Sequence, residues 1–312
     1  MINLAICGIC GKMGNAVFSI AENDDDFKII FGVDKKSGEN TLSGGISDCL
    51  SGGLCGGNKN INDLNETDKG VDGYLNDDEK NIPVFDSFEN INLPLEKEKS
   101  TVDVIIDFSS PSALKDLLLF AEKHKSAAIL ATTGYSENDF EIIKFYSEKI
   151  PVFYSQNLSL GVYSLINACK KICDNFFDSD VEIIEKHHNK KKDAPSGTAI
   201  KIANEISPYL NLKNNHDSNL TDLNAKTGRF GEKINGIPVH SVRGGGIFGE
   251  HEVLFMSSDE IISVKHTALS RNLFARSALN IAKFIAHMPG GLYGMDDYAE
   301  YARCKNFKRF NP

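Results

Sequence analysis

The chain has 312 residues, of which 41% are hydrophobic and 25% charged, so it can form two packed domains and global disorder is not expected. Its formal net charge is −9 and its pI about 5.4, which argues against nucleic acid as a partner, because phosphate binding favours a basic surface. No apolar run approaches the roughly 20 residues of a membrane-spanning helix, so we expect no membrane partner.

The start of the chain and its cysteines bear on the compartment. Residues 1–6 have the pattern of a strand and lack the basic start of a signal peptide. The seven cysteines are an odd number in a chain without an export signal. We therefore expect reduced thiols and a cytoplasmic protein.

Strand and helix patterns alternate through the first half of the chain, which is typical of a parallel sheet covered by helices on both faces. The predicted strands are residues 2–7, 28–34, 102–108, 127–132 and 151–154, and the predicted helices are residues 12–21, 111–124 and 137–148. Residues 37–81 break this alternation, because they are rich in Gly, Asn, Asp and Ser and show no sustained period. We predict a flexible, partly disordered surface insertion there.

The second half has a different pattern. The predicted helices are residues 161–177, 196–207 and 271–287, and the predicted strands are residues 181–186, 238–243, 251–257 and 260–267. A Gly-Gly turn and a polar tail follow the last helix. Three neighbouring strands without intervening helices predict a mixed or antiparallel sheet, so the fold class is α/β with a second, α+β domain.

A glycine-rich turn follows the first predicted strand. Residues 8–14 read G-I-C-G-K-M-G and open a helix, as in a dinucleotide-binding turn, where glycines let the backbone approach a pyrophosphate. The usual second glycine is replaced by Cys10, and a tight turn needed only for packing is the alternative. Asp34, 20 residues beyond Gly14, favours the dinucleotide interpretation, because its carboxylate can accept both hydroxyls of the adenosine ribose.

The residues after Asp34 concern the choice of cofactor. An acid there favours NADH, whereas a neighbouring cation such as Lys35 or Lys36 tolerates the 2′-phosphate of NADPH. We expect either cofactor to be used, NADH at least as well as NADPH. Two solvated lysines at the start of a loop are an equally good interpretation.

Polar residues also follow the fourth and fifth predicted strands. These are Thr132-Thr133-Gly134 and Gln156-Asn157, at the strand ends where ligands of parallel sheets bind. They could hold a nicotinamide ribose or carboxamide. Capping or turn formation explains each of them equally well.

The strongest chemical signal lies in residues 185–199, which read E-K-H-H-N-K-K-K-D-A-P-S-G-T-A. Imidazole gives or takes a proton near neutral pH, and lysines and a helix N-terminus attract anions. The segment therefore predicts proton transfer combined with carboxylate or phosphate recognition. The alternative is a solvated basic loop before an ordinary capped helix.

The cysteines and histidines do not predict a metal site. Cys7 and Cys10 lie within the glycine turn, and Cys169 and Cys173 share one helix face, without a second pair at zinc spacing. Four histidines also lack an H-E-x-x-H or similar frame, namely His187, His188, His240 and His251.

A further glycine-rich segment, residues 241–255, reads S-V-R-G-G-G-I-F-G-E-H-E-V-L-F. With Arg243 it could cradle an anion, shape a subunit contact or form a plain hairpin loop. Together with residues 8–14 and 185–199, and with G-L-Y-G-M-D-D near the end, it resembles the dihydrodipicolinate reductase (4-hydroxy-tetrahydrodipicolinate reductase) family. The resemblance spans nearly the whole chain except residues 37–81, and the middle motif is its most specific part.

The resemblance implies a Rossmann-like cofactor domain, residues 1–158 completed by residues 271–312. It also implies a mixed-sheet domain, residues 159–270, for substrate binding and oligomerisation. The implied reaction is the NADH- or NADPH-dependent reduction of 4-hydroxy-tetrahydrodipicolinate to tetrahydrodipicolinate, in lysine biosynthesis through diaminopimelate. A small dicarboxylate substrate and a homotetramer are implied as well.

The resemblance also implies roles for individual residues. His187 matches the catalytic acid/base and Lys191 the proton donor, while His188, Gly197 and Thr198 match the site for the substrate carboxylate. The expected cofactor contacts, with Lys35 added for its charge, are Gly8, Ile9, Cys10, Gly11, Lys12, Met13, Asp34, Lys35, Ala131, Thr132, Thr133, Ser155, Gln156, Asn157 and Leu158. Ala131 stands where the family often has glycine, and Leu158 where it often has phenylalanine.

Two other classes of protein share part of this pattern. Another two-domain NAD(P)-dependent dehydrogenase of amino-acid metabolism needs the glycine turn but not H-H-x-x-K followed by D-A-P-S-G-T. A non-catalytic dinucleotide sensor needs the turn and Asp34 but no proton donor.

Overall fold

The structure, a computed structural model, describes residues 1–35, 73–77, 80–91, 101–211 and 231–310. The chain divides into two compact units. The first comprises Met1–Leu158 and Phe274–Pro312, and the second comprises Ser159–Leu273. The cofactor and substrate roles given to the two halves of the sequence stay predictions.

The first unit is built on an eight-stranded sheet in which seven strands are parallel and one edge strand is antiparallel. The strands are β1 (Ile2–Cys7), β2 (Phe27–Val33), β3 (Gly73–Asp77), β4 (Lys80–Phe85), β5 (Val104–Asp107), β6 (Ala127–Leu130), β7 (Pro151–Tyr154) and β13 (Gly291–Tyr293). Their order is β13-β7-β6-β5-β1-β2-β4-β3. The chain thus runs outward from β1 in both directions, and such a switch point opens a ligand crevice at the carboxyl ends of the strands.

Helices and aromatic side chains complete this unit. The helices are α1 (Lys12–Ala21), α2 (Leu114–His124), α3 (Glu137–Ser147), α6 (Asn272–Ile285) and α7 (Met295–Phe310), with a short 3₁₀ turn at Pro111–Ala113. Phe31 packs edge-to-face on Phe85 and Phe120, with ring centroids 5.9 and 5.7 Å apart. Burying each such ring contributes roughly 1.5–3 kcal/mol, which stabilises the packing of α2 against β2 and β4.

The second unit is built on a five-stranded mixed sheet, in the order β12-β11-β8-β10-β9. The strands are β8 (Asp180–His187), β9 (Glu232–Ile234), β10 (Ile237–Arg243), β11 (Gly249–Met256) and β12 (Ile261–Ala268). Helices α4 (Leu160–Phe176) and α5 (Gly197–Ile206) share a core with the buried face of the sheet. Alternate residues of β8 face this core, so the strand's period of two decides which side chains are buried. The predicted α/β fold class with a second, mixed-sheet unit is confirmed.

One difference from the sequence prediction lies in the expected insertion. Residues 73–77 form β3, paired with β4, which continues the main sheet beside β2. Ile82, Val84 and Phe85 are buried there, and an apolar run this short gives little periodic signal. The predicted flexible, partly disordered insertion therefore includes regular structure at residues 73–77 and 80–81, while residues 37–72 and 78–79 lie outside the described part of the chain.

The end of the chain is a second difference, because it is not a plain polar tail. Residues Gly291–Tyr293 add a parallel strand beside β7, and α7 follows with Met295 and Tyr298 buried. A strand of three residues and a helix rich in charges carry no clear periodic pattern.

Over the described ranges, no helix is both long enough and apolar enough to span a membrane.

Candidate active site and cofactor turn

The turn after β1 has the geometry of an anion-binding turn. Gly8 has a φ of +77°, and a Cβ added to it would lie 2.6 Å from the Phe108 carbonyl oxygen. A Cβ at Gly14 would overlap with the Gly8 carbonyl oxygen. The N-cap residue of α1 is Gly11, which has no side chain to accept from the first backbone N–H groups of the helix. By contrast, serine side chains cap the N-termini of α3, α4 and α5. The backbone at the start of α1 therefore fits a pyrophosphate.

Asp34 lies beside this turn. Its backbone N–H donates to the Phe85 carbonyl, and its Oδ2 accepts from the Cys10 N–H at 2.8 Å. Burial raises the pKa of Asp34, although hydrogen bonds from the Cys10 and Gly11 backbone partly offset this effect. Lys35 is exposed and donates from Nζ to Ser112 Oγ at 3.0 Å. Lys36 lies outside the described residues.

The expected nicotinamide-side residues follow β6 and β7, which are neighbouring parallel strands of the sheet. Thr133 and Gln156 are exposed, whereas Thr132 and Ser155 are buried and hydrogen-bonded within the protein. Gly11 and Lys12 of the turn are also exposed. Of the other expected cofactor contacts, Met13, Ala131 and Asn157 are half-buried. The side chains of Ile9 and Leu158 are buried, so only their backbone is left for a ligand.

Sequence analysis missed Asp107, the last residue of β5. It is completely buried and accepts hydrogen bonds from Thr132 Oγ1 at 2.7 Å, Tyr135 OH at 3.1 Å and the Ser109 N–H at 3.0 Å. Burial and this carboxylate raise the pKa of Tyr135. The sequence signal that could have identified Asp107 is an acidic residue at the end of an otherwise apolar strand. Asp107 ties the loop after β6 to the end of β5.

In the second unit, strand β8 ends in a carboxylate–imidazole pair. Glu185 and His187 are two residues apart and therefore lie on the face that buries Val181 and Ile183. The Glu185 side chain has 0% exposure, and its Oε2 lies 2.5 Å from His187 Nδ1. This contact leaves Nε2 as the nitrogen of His187 that can exchange a proton with a ligand.

Arg243 holds the other side of Glu185. It pairs with both carboxylate oxygens, at 2.9 and 2.6 Å, and donates to the Asp193 carbonyl at 2.6 Å. Burial acts to raise the pKa of Glu185, but hydrogen bonds from His187, Arg243 and Ser241 outweigh it and lower the pKa to about 2. Arg243 therefore forms an ion pair with Glu185 and is more than part of a plain hairpin loop. Glu185 had no role in the prediction from the sequence.

His251 of β11 packs beside this pair. Its ring centroid lies 5.2 Å from that of His187, and its Nε2 lies 3.1 Å from Ser196 Oγ. Burial, reinforced by His187, lowers the pKa of His251 to about 3, so this ring stays neutral. Sequence analysis considered His251 only as a metal ligand. In the ranges that the structure describes, no three His, Cys, Asp or Glu side chains cluster as a metal site.

The turn between β8 and α5 carries the remaining predicted residues. Lys191 donates from Nζ to Asp193 at 2.8 Å, and its backbone N–H donates to the His188 carbonyl at 3.1 Å. Ser196 caps α5, while Gly197 is exposed and a Cβ added there would meet nothing within 4 Å. The described structure therefore brings His187, Lys191 and an accessible helix N-terminus into one segment.

The buried cysteines of α4 do not belong to this site. Burial raises the pKa of Cys169 to about 12 and that of Cys173 to about 11. Neither thiol is therefore a nucleophile near neutral pH.

The fold and these two sets of residues define a class, the two-domain nicotinamide-dependent reductases. Profiles of dihydrodipicolinate reductase match this chain over residues 65–158 for the N-terminal domain and residues 161–298 for the C-terminal domain. The chain is 33% identical over 297 residues to 4-hydroxy-tetrahydrodipicolinate reductase of Clostridium tetani, covering 95% of this chain and 96% of the relative. The chain belongs to the dihydrodipicolinate reductase family.

Two further comparisons agree. The reductase of Caldanaerobacter subterraneus subsp. tengcongensis is 35% identical over 297 residues, covering 95% of this chain and 98% of the relative. A dipicolinate-bound dihydrodipicolinate reductase from Paenisporosarcina sp. TG-14 shares the fold, with a TM-score of 0.69 and 23% identity over 95% of this chain and 99% of that one.

The predicted family, enzyme class and cofactor class are confirmed. The chain is an oxidoreductase with the activity of its family, the NADH- or NADPH-dependent reduction of 4-hydroxy-tetrahydrodipicolinate in lysine biosynthesis through diaminopimelate. The alternatives of another dehydrogenase or a non-catalytic sensor are set aside.

Proposed function

We propose that the second unit binds the substrate's carboxylates and protonates the substrate through His187, while the first unit holds the nicotinamide cofactor. The supporting observation is the His187 imidazole, held through Nδ1 by Glu185 at 2.5 Å and followed within eleven residues by Lys191 and the N-terminus of α5. Proton transfer and anion binding are thus offered by one segment.

Carboxylate binding rests on the start of α5. Gly197 is exposed at the N-terminus of α5, a Cβ added to it would meet nothing within 4 Å, and Thr198 with its hydroxyl follows directly. Lys191 adds a positive charge, and His188 precedes it on the same turn. The Paenisporosarcina reductase was solved with dipicolinate bound, and this molecule carries two carboxylates on a planar ring, which suits the same set of donors.

Proton delivery rests on His187 and Lys191. When bound, the cofactor supplies the hydride, and a proton must reach the neighbouring atom of the substrate. His187 Nε2 gives this proton, since Nδ1 is occupied by Glu185. The Lys191 ammonium, held 2.8 Å from Asp193, neutralises substrate charge and donates the proton with which the 4-hydroxyl leaves as water. The ring gives up one proton in that elimination, so the net addition to the substrate is one hydride and one proton.

Exchange of Thr198 for valine tests the division of the two sites. The valine keeps the shape but loses the hydroxyl, so pyridine-2,6-dicarboxylate should inhibit roughly 10- to 100-fold less well, because a hydrogen bond to a charged group contributes about 1.5–3 kcal/mol. Substrate KM should rise, and the Kd of NADH alone should stay within about twofold. Inhibition at fixed NADH and a titration of NADH alone measure the two effects.

A reciprocal variant serves as the control for Thr198→Val. Thr133→Val changes an exposed threonine of the first unit in the same way, and it should weaken NADH while sparing the dicarboxylate. Loss of NADH binding in Thr198→Val with inhibition unchanged would assign α5 to the cofactor and overturn the proposed division.

Asp34 is the residue we expect to decide the cofactor preference. Its carboxylate accepts hydroxyls of the adenosine ribose and repels a 2′-phosphate, which Lys35 only partly offsets. The wild type should therefore use NADH at least as well as NADPH, and Asp34→Ala should raise KM for NADH more than for NADPH. A strong wild-type preference for NADPH in steady-state kinetics would show that the lysines dominate.

Two further proposals concern assembly and compartment. We propose a homotetramer and a cytoplasmic location. The family resemblance supports the assembly, and the sequence's odd number of cysteines supports a reducing compartment. Among the described residues five cysteines are free thiols, which fits that compartment.

A further inference from the structure

We propose that Glu185 is the positioning residue of the proton-transfer step, and that Arg243 is its counter-charge. Glu185 fixes which nitrogen of His187 carries the transferable proton and stabilises the ring when it is charged. This inference rests on the proposed role of His187, but it assigns new functions to two residues that touch neither substrate nor cofactor in our scheme.

Glu185 cannot turn away from His187. One carboxylate oxygen contacts His187 Nδ1 and Arg243, while the other accepts from Arg243 at 2.6 Å and from the Ser196 N–H at 3.2 Å. Both oxygens are thus fixed from three different elements, β8, β10 and the start of α5. A carboxylate held this way accepts the Nδ1 proton and so assigns the transferable proton to Nε2.

Glu185 also acts on the His187 ring through its charge. Glu185 is ionised over the whole working range, because its pKa lies near 2, so it can stabilise an imidazolium. Arg243 balances its charge, which keeps that stabilisation moderate and allows His187 to release its proton. His251 of β11 packs on the ring and stays neutral, and the charges that act on His251 are those of His187, Glu185, His266 of β12 and Lys191.

The space next to His187 Nε2 is open on the side of β11. A Cβ added at Gly249 would lie 3.1 Å from His187 Nε2. The absence of a side chain at this position leaves the proton-bearing nitrogen uncrowded from β11. Both nitrogens of His187 are therefore accounted for, with Nδ1 facing Glu185 and Nε2 left for a ligand.

Exchange of Glu185 for glutamine tests the proposal in the full-length enzyme. The amide oxygen can still accept from Nδ1, but the charge is lost, so kcat should fall roughly 10- to 100-fold. The high-pH limb of the kcat profile should move to lower pH, since the imidazolium loses its anionic neighbour. Binding of pyridine-2,6-dicarboxylate and of NADH should each stay within about threefold.

Strand β8 contains a matched control. Glu182 pairs with His240 Nε2 at 2.9 Å, so the same strand carries a second carboxylate–imidazole contact away from His187. Glu182→Gln should leave kcat and its pH profile unchanged. Equal effects of Glu182→Gln and Glu185→Gln would reduce the role of Glu185 to general stabilisation of the sheet and would overturn the proposal.

A double-mutant cycle separates positioning from folding. Because Glu185 acts through His187, adding Glu185→Gln to His187→Ala should change the residual kcat by less than about twofold. A further tenfold loss in that background would overturn the inference. Full activity of His187→Ala alone would instead overturn the proposed function.

If Glu185→Gln does not fold, Glu185→Asp gives the same decision. The aspartate keeps the charge facing Arg243 but withdraws it by one methylene from Nδ1. An intermediate loss of kcat with unchanged dicarboxylate binding supports the proposal. Wild-type kcat with a wild-type pH profile contradicts it.

Discussion

Replacing His187 with alanine is expected to lower kcat by roughly 100-fold or more, which is the range of lost general acid catalysis. The ring is buried at the end of β8 with its Nδ1 held by Glu185, so the variant loses the imidazole whose Nε2 is proposed to give the proton. His251 is the nearest ring, but burial keeps it neutral and it contacts Ser196. Steady-state oxidation of NADH with freshly prepared substrate measures the effect.

His240→Ala is the matched control for this variant. His240 also pairs with a glutamate of β8, so its loss disturbs the same sheet without touching the proposed proton donor. The control should keep wild-type kcat, and both variants should keep wild-type affinity for pyridine-2,6-dicarboxylate within a few-fold. Near wild-type kcat in His187→Ala would remove the proton-transfer role.

The sequence was informative about the fold where the periodic signal was long. Buried parallel strands such as β6 appear as continuous apolar runs, and α4 shows apolar residues at helical spacing. Short edge elements escaped detection, because β3 and β13 depend on pairing with distant strands rather than on their own composition. Tertiary contacts, not local propensity, stabilise such strands.

The candidate site could also be predicted from the sequence only in part. His187 and Lys191 stand out in the sequence, because imidazole and ammonium groups in a short motif suggest proton transfer and anion binding. Arg243 lies 58 residues from Glu185 along the chain, and only the parallel pairing of β8 with β10 brings the two together. Contacts set by sheet register leave no signature in a single sequence.

Replacing Lys191 with alanine is expected to lower kcat by roughly 100-fold or more and to raise substrate KM, because one side chain supplies both a proton and a positive charge. Lys191 is half-buried, with its ammonium 2.8 Å from Asp193, whereas Lys190 and Lys192 beside it are exposed. The fixed position distinguishes Lys191 from the rest of the lysine run. Steady-state kinetics and inhibition by pyridine-2,6-dicarboxylate separate the two contributions.

Lys190→Ala and Lys192→Ala are the matched controls, since each removes one positive charge from the same turn. They should change KM by no more than about twofold, because exposed charges are screened by water and salt. If all three variants lost activity equally, the lysine run would act only through its summed charge. An effect confined to Lys191→Ala, with both kcat and dicarboxylate affinity reduced, follows from an ammonium group that Asp193 holds at one position in the turn between β8 and α5.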